Sequence, residues 1–165
     1  MKFKTSLLAI SSFAFFALIV SSCKKSNSGS SGGGISATYG TTGFQSSNTL
    51  GIYYSTANMI DLIGYTISSG DTTITEVGLS TPFPLNTAIS SDTVYSNYIN
   101  YYDSKGTINY YGGFNAGYSP VIITVTSWDT VNKKISGTFS GTLYGSSNDS
   151  VATTKGQFNL SYISE

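Results

Sequence analysis

The feature that most constrains the fold is the stretch from Val121 to Tyr144 near the C-terminal end. Two runs rich in β-branched and aromatic residues flank the six turn-type residues D-T-V-N-K-K, a pattern typical of an antiparallel β-hairpin. Because side chains alternate along a strand, the second run has one apolar and one polar face. Its apolar face consists of Ile135, Gly137, Phe139, Gly141 and Leu143. We expect Phe139 and Leu143 in the core, with Trp128 or a tyrosine packed over the glycines.

The chain after residue 34 shows short apolar–polar runs broken by Gly, Asn, Asp and Ser, which predict further strands. The predicted strands are Ile35–Tyr39, Thr49–Ser55, Met59–Ser68, Thr72–Leu79, Thr93–Tyr102, Thr107–Phe114, Val121–Trp128, Ile135–Tyr144, Ser150–Thr154 and Gln157–Ile163. Only Ser55–Leu62 approaches a 3.6-residue amphipathic period. Regular short strands without helices predict an all-β fold, either a single antiparallel β-sandwich or an incompletely closed β-barrel.

The first residues predict export. Lys2 and Lys4 precede a mostly apolar run, Leu7–Val20, which has the length of a secretory signal. A transmembrane helix needs about 20 apolar residues, so this run is short for one. The run ends in V-S-S-C, which resembles a bacterial lipobox, where the cysteine is lipidated and becomes the first mature residue. Cys23 is the only cysteine, so no disulfide competes for it. The alternative is an ordinary signal peptide followed by an incidental cysteine.

These features divide the chain into three parts. Residues 1–22 are the predicted signal peptide, 23–34 the lipidated cysteine and flexible Ser/Gly-rich tether, and 35–165 the β-domain. Removal of the signal leaves six lysines, eight acids and no arginine. So few cations exclude the electrostatic footprint of a nucleic-acid-binding protein. We therefore expect membrane attachment through the lipid rather than through a basic patch.

A family resemblance rests on the signal, the lipobox and three further segments: V-I-I-T-V-T-S-W-D, K-K-I-S-G-T-F-S-G-T-L and the closing G-Q-F-N-L-S-Y. Together they resemble uncharacterised outer-membrane lipoproteins of the Bacteroidota. The resemblance covers Thr93–Tyr162 well and the earlier half in outline; the frequent N-G-x-x-W is missing, and Gly40–Phe44 is a weak substitute. It implies an all-β secreted domain on an outer-membrane anchor and no particular activity. Surface display in this phylum is associated with acids just after the cysteine. Lys24–Asn27 contains none, so we expect the periplasmic face.

The residue types limit the chemistry. The chain has no histidine, which excludes Ser-His-Asp and Cys-His nucleophiles and the usual zinc and copper sites. It also has no D-x-D-x-D-G calcium loop. We therefore expect no metal, no cofactor and no enzymatic activity. The alternative is a carboxylate-dependent hydrolase of envelope or dietary glycans, which requires two distant acids to converge. Asp61 and Glu76 are the candidates in strand-like sequence.

Tyrosines crowd one predicted hairpin and form a candidate ligand surface. They are Tyr95, Tyr98, Tyr101, Tyr102, Tyr110 and Tyr111. A tyrosine has a flat apolar ring and a polar tip, which suit it to stacking on a glycan or gripping an extended peptide. Period-2 alternation places Tyr98 and Tyr102 on one face and Tyr95 and Tyr101 on the other, and only one face can point at the core. The alternative is that tyrosine is simply a strong strand former that pairs across strands.

Four short motifs read Asp, a hydroxyl residue, then an aliphatic residue or threonine, which resembles the O-glycan acceptor pattern of secreted Bacteroidota proteins. The hydroxyl residues are Thr72, Thr93, Thr130 and Ser150. All four lie near predicted turns or strand entries, which favours O-glycosylation as a hypothesis. Taken together, the sequence predicts a membrane-anchored lipoprotein whose non-catalytic β-domain is a binding or structural module of the cell envelope.

Overall fold

Strands account for most of the chain. The computed structural model describes residues 33–91, 97–113, 120–145 and 149–165. This part of the chain forms twelve strands and no helix. The strands are β1 Gly34–Tyr39, β2 Thr42–Gln45, β3 Asn48–Tyr54, β4 Met59–Ser68, β5 Asp71–Ser80, β6 Ala88–Ser90, β7 Tyr98–Asp103, β8 Asn109–Gly113, β9 Val121–Asp129, β10 Lys134–Gly145, β11 Ser150–Ser161 and β12 Ile163–Ser164.

All twelve strands belong to one sheet. Its order is β12-β3-β4-β5-β7-β8-β10-β11-β1-β2, with β9 paired to β10 and β6 paired to β9. The pairing of β12 with β3 is parallel, whereas the other pairings are antiparallel. The sheet is large and is not closed. The prediction of an all-β fold is therefore confirmed.

The sheet buries its apolar face by curling, so that strands far apart in the sheet order meet inside. Tyr39 of β1 stacks on Tyr101 of β7, with ring centroids 3.7 Å apart and planes inclined by 5°. The Tyr39 hydroxyl also pairs with Thr75 Oγ1 of β5 at 2.9 Å. Phe44 of β2 adds an edge contact to both rings. The core lies inside the curl, and its main walls are the inner faces of β1, β4, β5, β7, β9, β10 and β11.

The β9–β10 hairpin lies where the sequence predicts it. Its inner-face residues are at most 3% exposed: Ile135, Phe139 and Leu143. Asp129 ends β9 and shapes the turn, because its Oδ1 accepts hydrogen bonds from the backbone N–H groups of Val131 at 3.0 Å and Asn132 at 2.9 Å. This local bonding is the reason that aspartate is favoured in turns. The hairpin therefore confirms both the predicted alternation and the predicted turn.

Two glycines make room for two phenylalanine rings across β10 and β11. Gly137 pairs with Phe158, and Gly156 pairs with Phe139. A Cβ at residue 137 would lie 2.4 Å from the Phe158 ring, and one at residue 156 would lie 2.6 Å from the Phe139 ring. The expectation that Trp128 or a tyrosine covers Gly137 is wrong, because the covering ring comes from β11. The sequence of the hairpin alone does not specify that third strand.

The strand β11 is a single long strand, whereas the sequence predicted two separate strands in this region. β11 continues through the gap between Ser150–Thr154 and Gln157–Ile163, and a β-bulge lies there. Thr154 and Lys155 of β11 together face the single Ser140 of β10. The bulge resets which residues point inward and so removes the continuous alternation that identifies a strand. The strands β2 and β6 were not predicted, because three or four residues are too few to show a period.

We expect Phe139→Ala to lower the free energy of unfolding by about 3–5 kcal/mol. The Phe139 ring is 3% exposed and lies 6.5 Å from the Phe158 ring, so its removal leaves a cavity. Urea unfolding measures the change. The exposed neighbour Thr138 is the control, and Thr138→Ala should stay within about 1 kcal/mol of wild type. A larger effect at residue 138 than at residue 139 would mean that the register is shifted by one residue.

Candidate functional site

A polar cluster lies on the outer face of the sheet, on β4, β5 and β7. The register sets Asp61 of β4 opposite Gly78 of β5, and Gly78 opposite Tyr98 of β7. In the adjacent row, Glu76 of β5 is opposite Asn100 of β7. These residues alternate with buried core residues such as Leu62, Val77 and Ile99, so they share the face turned away from the core. We call Asp61, Glu76, Tyr98 and Asn100 the carboxylate cluster.

Tyr98 reaches across β5 because residue 78 has no side chain. A Cβ at Gly78 would lie 2.1 Å from Cε1 of Tyr98, so the ring lies directly against the backbone of β5. The Tyr98 hydroxyl donates to Asp61 Oδ1 at 2.8 Å and lies 3.4 Å from Glu76 Oε1. One phenol group from β7 therefore contacts carboxylates on both of the two preceding strands in the sheet.

Glu76 is the more enclosed acid of the cluster, with 8% of its surface exposed. Its Oε2 accepts a hydrogen bond from Asn100 Nδ2 at 3.0 Å. Its other oxygen, Oε1, is near the Tyr98 hydroxyl. That hydroxyl has a single proton, which it already donates to Asp61 in the shorter of the two contacts. The carboxylate oxygens of the cluster can therefore accept more hydrogen bonds than Tyr98 and Asn100 donate to them.

Burial dominates the electrostatics of the cluster. It raises the pKa of Asp61 to about 6; the hydrogen bond from Tyr98 opposes this rise and the charge of Glu76 adds to it. Burial also raises the pKa of Glu76, against the hydrogen bonds from Asn100 and Tyr98. The pKa of Tyr98 is raised by burial and by both carboxylates, so the phenol keeps its proton. The cluster can therefore gain or lose a proton near pH 6 at the Asp61 carboxyl group, not at the phenol.

Two tyrosine rings on the same outer face border the cluster. Tyr111 of β8 lies opposite Asn100 and is 40% exposed. Tyr102 lies two residues beyond Asn100 on β7 and is half-buried. Burial, then the charges of Glu76 and Asp61, raise the pKa of Tyr102, so its ring lies within their electrostatic reach. We call Tyr102 and Tyr111 the tyrosine rim.

The predicted tyrosine surface is divided between the two faces of the sheet. The rings on the outer face are Tyr98, Tyr102 and Tyr111. Tyr101 is 5% exposed and stacked on Tyr39, so it is a core residue and contributes no outer surface. Tyr110 pairs with Tyr101, packs against the core and donates its hydroxyl to Asp149 Oδ2 at 2.6 Å. Tyr95 lies outside the described residues.

The structure brings together the two acids that the sequence singled out for a hydrolase. Asp61 and Glu76 both lie within 3.4 Å of one hydroxyl. The sequence did not indicate that Asn100 would join them, or that Gly78 would leave space for the Tyr98 ring. A signal was present, because a glycine inside the run T-I-T-E-V-G-L-S indicates that something approaches the strand closely. The identity of that neighbour depends on the pairing of β5 with β7.

Three of the four predicted O-glycosylation positions lie in the described part of the chain. Thr130 and Ser150 are exposed, and Thr72 is half-buried with its backbone N–H donating to Ser104 Oγ at 3.1 Å. Thr93 and the predicted lipidation site Cys23 lie outside the described residues. None of the described positions touches the carboxylate cluster through a hydrogen bond.

No family model, curated protein or solved structure matches the chain. Within the described ranges, His, Cys, Asp and Glu form no group of three or more that could hold a metal ion. The same ranges contain no helix that is long and apolar enough to span a membrane.

Asp61 should make stability depend on pH. Its pKa is about 6 in the folded protein, against about 4 in an unfolded chain. Between these values the folded protein binds more protons than the unfolded chain, so the free energy of unfolding should fall as pH rises from about 4 to about 6. We expect Asp61→Asn to reduce this fall in urea titrations across the range.

The matched control for this titration is Asp71→Asn. The hydrogen bond from Ser104 and the nearby Lys105 lower the pKa of this exposed carboxyl, and its contribution to stability is complete above about pH 5. Asp71→Asn should therefore leave the fall between about pH 5 and 6 unchanged. An Asp61→Asn protein with the full wild-type slope would show that Asp61 titrates normally.

Proposed function

We propose that the protein is a lipid-anchored component of the cell envelope whose β-domain binds a glycan on the outer face of β4, β5, β7 and β8. The observation that carries the proposal is the carboxylate cluster beside the tyrosine rim. Glycan recognition uses both parts: sugar hydroxyls bond to carboxylate and amide groups, while the C–H face of a sugar ring packs on an aromatic ring.

The charge of the site favours a neutral ligand. The cluster contains two acids, and the ion pair that the structure describes, Lys105 with Asp71 at 3.7 Å, lies elsewhere. Carboxylates without a cation repel phosphate groups, which argues against a nucleotide. The raised pKa of Asp61 adds a second property, because a protonated carboxyl can donate to a sugar hydroxyl as well as accept from one.

The position of the site in the sheet favours a glycan over an extended peptide. Peptides that bind sheets usually add a strand at an edge, where backbone N–H and C=O groups are unpaired. β4, β5 and β7 each have a paired neighbour on both sides in the sheet order. Their backbone groups are therefore already used, and the face offers side chains alone.

A carboxylate-dependent glycan hydrolase is the second candidate, favoured by the convergence of Asp61 and Glu76 on the Tyr98 hydroxyl. Glycosidases use two carboxyl groups about 5–9.5 Å apart, one of them a general acid with a raised pKa. Asp61, with a pKa of about 6, suits that role. Glu76 has 8% of its surface exposed, which leaves a substrate little access to it. This burial argues against a catalytic role for Glu76.

The lipid anchor is tested at Cys23. We expect Cys23→Ser to move the protein from the membrane to the soluble fraction, because a serine hydroxyl does not replace the thiol that takes the diacylglycerol. Incorporation of labelled palmitate should be lost at the same time. Ser22→Ala is the control and should remain lipidated, since it keeps a small residue before the cysteine. Membrane retention of the serine variant would exclude the lipid anchor, and protease accessibility on intact cells identifies the leaflet.

Glycan binding is tested at Tyr111. On a glycan array we expect Tyr111→Ala to weaken binding by about three- to tenfold, the effect of losing one stacking ring. Tyr111→Phe keeps the ring and removes only the hydroxyl that donates to Asn109, so it should bind like wild type. Equal binding by wild type and the alanine variant would contradict the proposed site. Release of shorter glycans by wild type, lost in Asp61→Asn, would instead establish the hydrolase.

A further inference from the structure

A second polar surface lies on the outer face of β9, β10 and β11. It lines an open groove of about 380 Å³ on the protein surface. Its outward-facing residues are Ile122, Thr124, Thr138, Ser140, Lys155 and Gln157. We call these six residues the hydroxyl cleft. None of them belongs to the carboxylate cluster or to the tyrosine rim.

The strand register arranges the hydroxyl cleft in two rows. The first row, across β9, β10 and β11, is Thr124, Thr138 and Gln157. In the second row Ile122 is opposite Ser140, and the bulge of β11 sets Lys155 on the far side of Ser140. One row therefore offers two hydroxyls and a carboxamide. The other offers an apolar side chain, a hydroxyl and an ammonium group.

Two hydroxyl groups of the cleft take no part in the hydrogen bonding that the structure describes. Within the described part of the chain, the side chains of Thr124 and Thr138 make no hydrogen bond, although the two residues are directly opposite each other. Further along the same two strands, Thr126 and Ser136 do bond to each other, with their hydroxyl oxygens 3.2 Å apart. The hydroxyls of Thr124 and Thr138 are therefore available to bond to a ligand, whereas those of Thr126 and Ser136 bond to each other.

Lys155 occupies the cleft in an unusual backbone conformation. Its φ is 53°, in the left-handed region that lysine seldom adopts, and the bulge around it re-aims the side chain. None of the residues that line the cleft is acidic, and the described ion pair belongs to Lys105. Lys133 also has a φ of 53°, but its Nζ donates to Ser164 Oγ at 3.2 Å. Of these two left-handed lysines, Lys155 is the one that lines the cleft.

We propose that the hydroxyl cleft binds a uronic-acid sugar, that is, a sugar that carries a carboxylate. The Lys155 ammonium pairs with the carboxylate, and the threonine, serine and glutamine side chains bond to the sugar hydroxyls. Ile122 is 43% exposed and packs on the C–H face of the ring. The carboxylate cluster would repel the same ligand, so the two sites take different sugars and neither depends on the other.

The test compares trigalacturonate with its methyl ester, which keeps every ring hydroxyl and loses the charge. Each is titrated into the isotope-labelled full-length protein and followed by backbone amide shifts in NMR. We expect the acid to bind at least about tenfold more tightly than the ester, since the charge-assisted bond is lost in the ester. The shifted amides should belong to residues 122–124, 138–140 and 155–157.

Two matched variants separate the charge from the backbone conformation. Lys155→Gly and Lys133→Gly each replace a lysine at φ 53° by the residue that tolerates this φ best. We expect the first to abolish the preference for the acid and the second to leave it intact, while Lys155→Arg retains binding. Equal binding of acid and ester, an equal loss in Lys133→Gly, or no binding of the acid would overturn the proposal. Ester binding with shifts confined to β4, β5 and β7 would support the first glycan site alone.

Discussion

The contact between Tyr39 of β1 and Tyr101 of β7 shows the constraint on which this structure depends. A single sheet must bury its own apolar face, and it can do so by curling until distant strands meet. The stacked rings, 3.7 Å apart, and the pairing of Tyr39 with Thr75 join strands that are far apart in the sheet order. The inner face is consequently filled by large side chains, and Phe139 and Phe158 pack there opposite glycines on the paired strand.

The outer face follows from the same constraint, because residues that alternate with the core must face away from it. On β4, β5 and β7 these residues form an acidic cluster, and on β9, β10 and β11 they form a cleft with one lysine. Each surface depends on a local exception to a regular strand. Gly78 clears the path of the Tyr98 ring, and the bulge at Lys155 turns a cation toward a row of hydroxyls. The two surfaces therefore differ in charge within one continuous sheet.

Sequence pattern succeeded where the physical signal is local. The alternation through Phe139 and Leu143 marks a half-buried strand by itself, and Asp129 forms the turn through hydrogen bonds to residues two and three positions away. It failed where the partner is remote. Phe158 rather than Trp128 covers Gly137. The sequence predicted two strands where β11 is one, because the bulge of β11 interrupts the alternation of inward and outward residues.

The sequence by itself determined the all-β class, the course of the central hairpin and the absence of histidine chemistry, since these depend on residue type and on period-2 alternation. It also named Asp61 and Glu76, but it could not bring them together. That required the pairing of β4, β5 and β7, which fixes which side chains share a row. The tertiary structure likewise decided that Tyr101 is core while Tyr111 is surface. The alternation of side chains along a strand predicts that neighbouring residues lie on opposite faces of the sheet. Which face is inside depends on the direction in which the sheet curls.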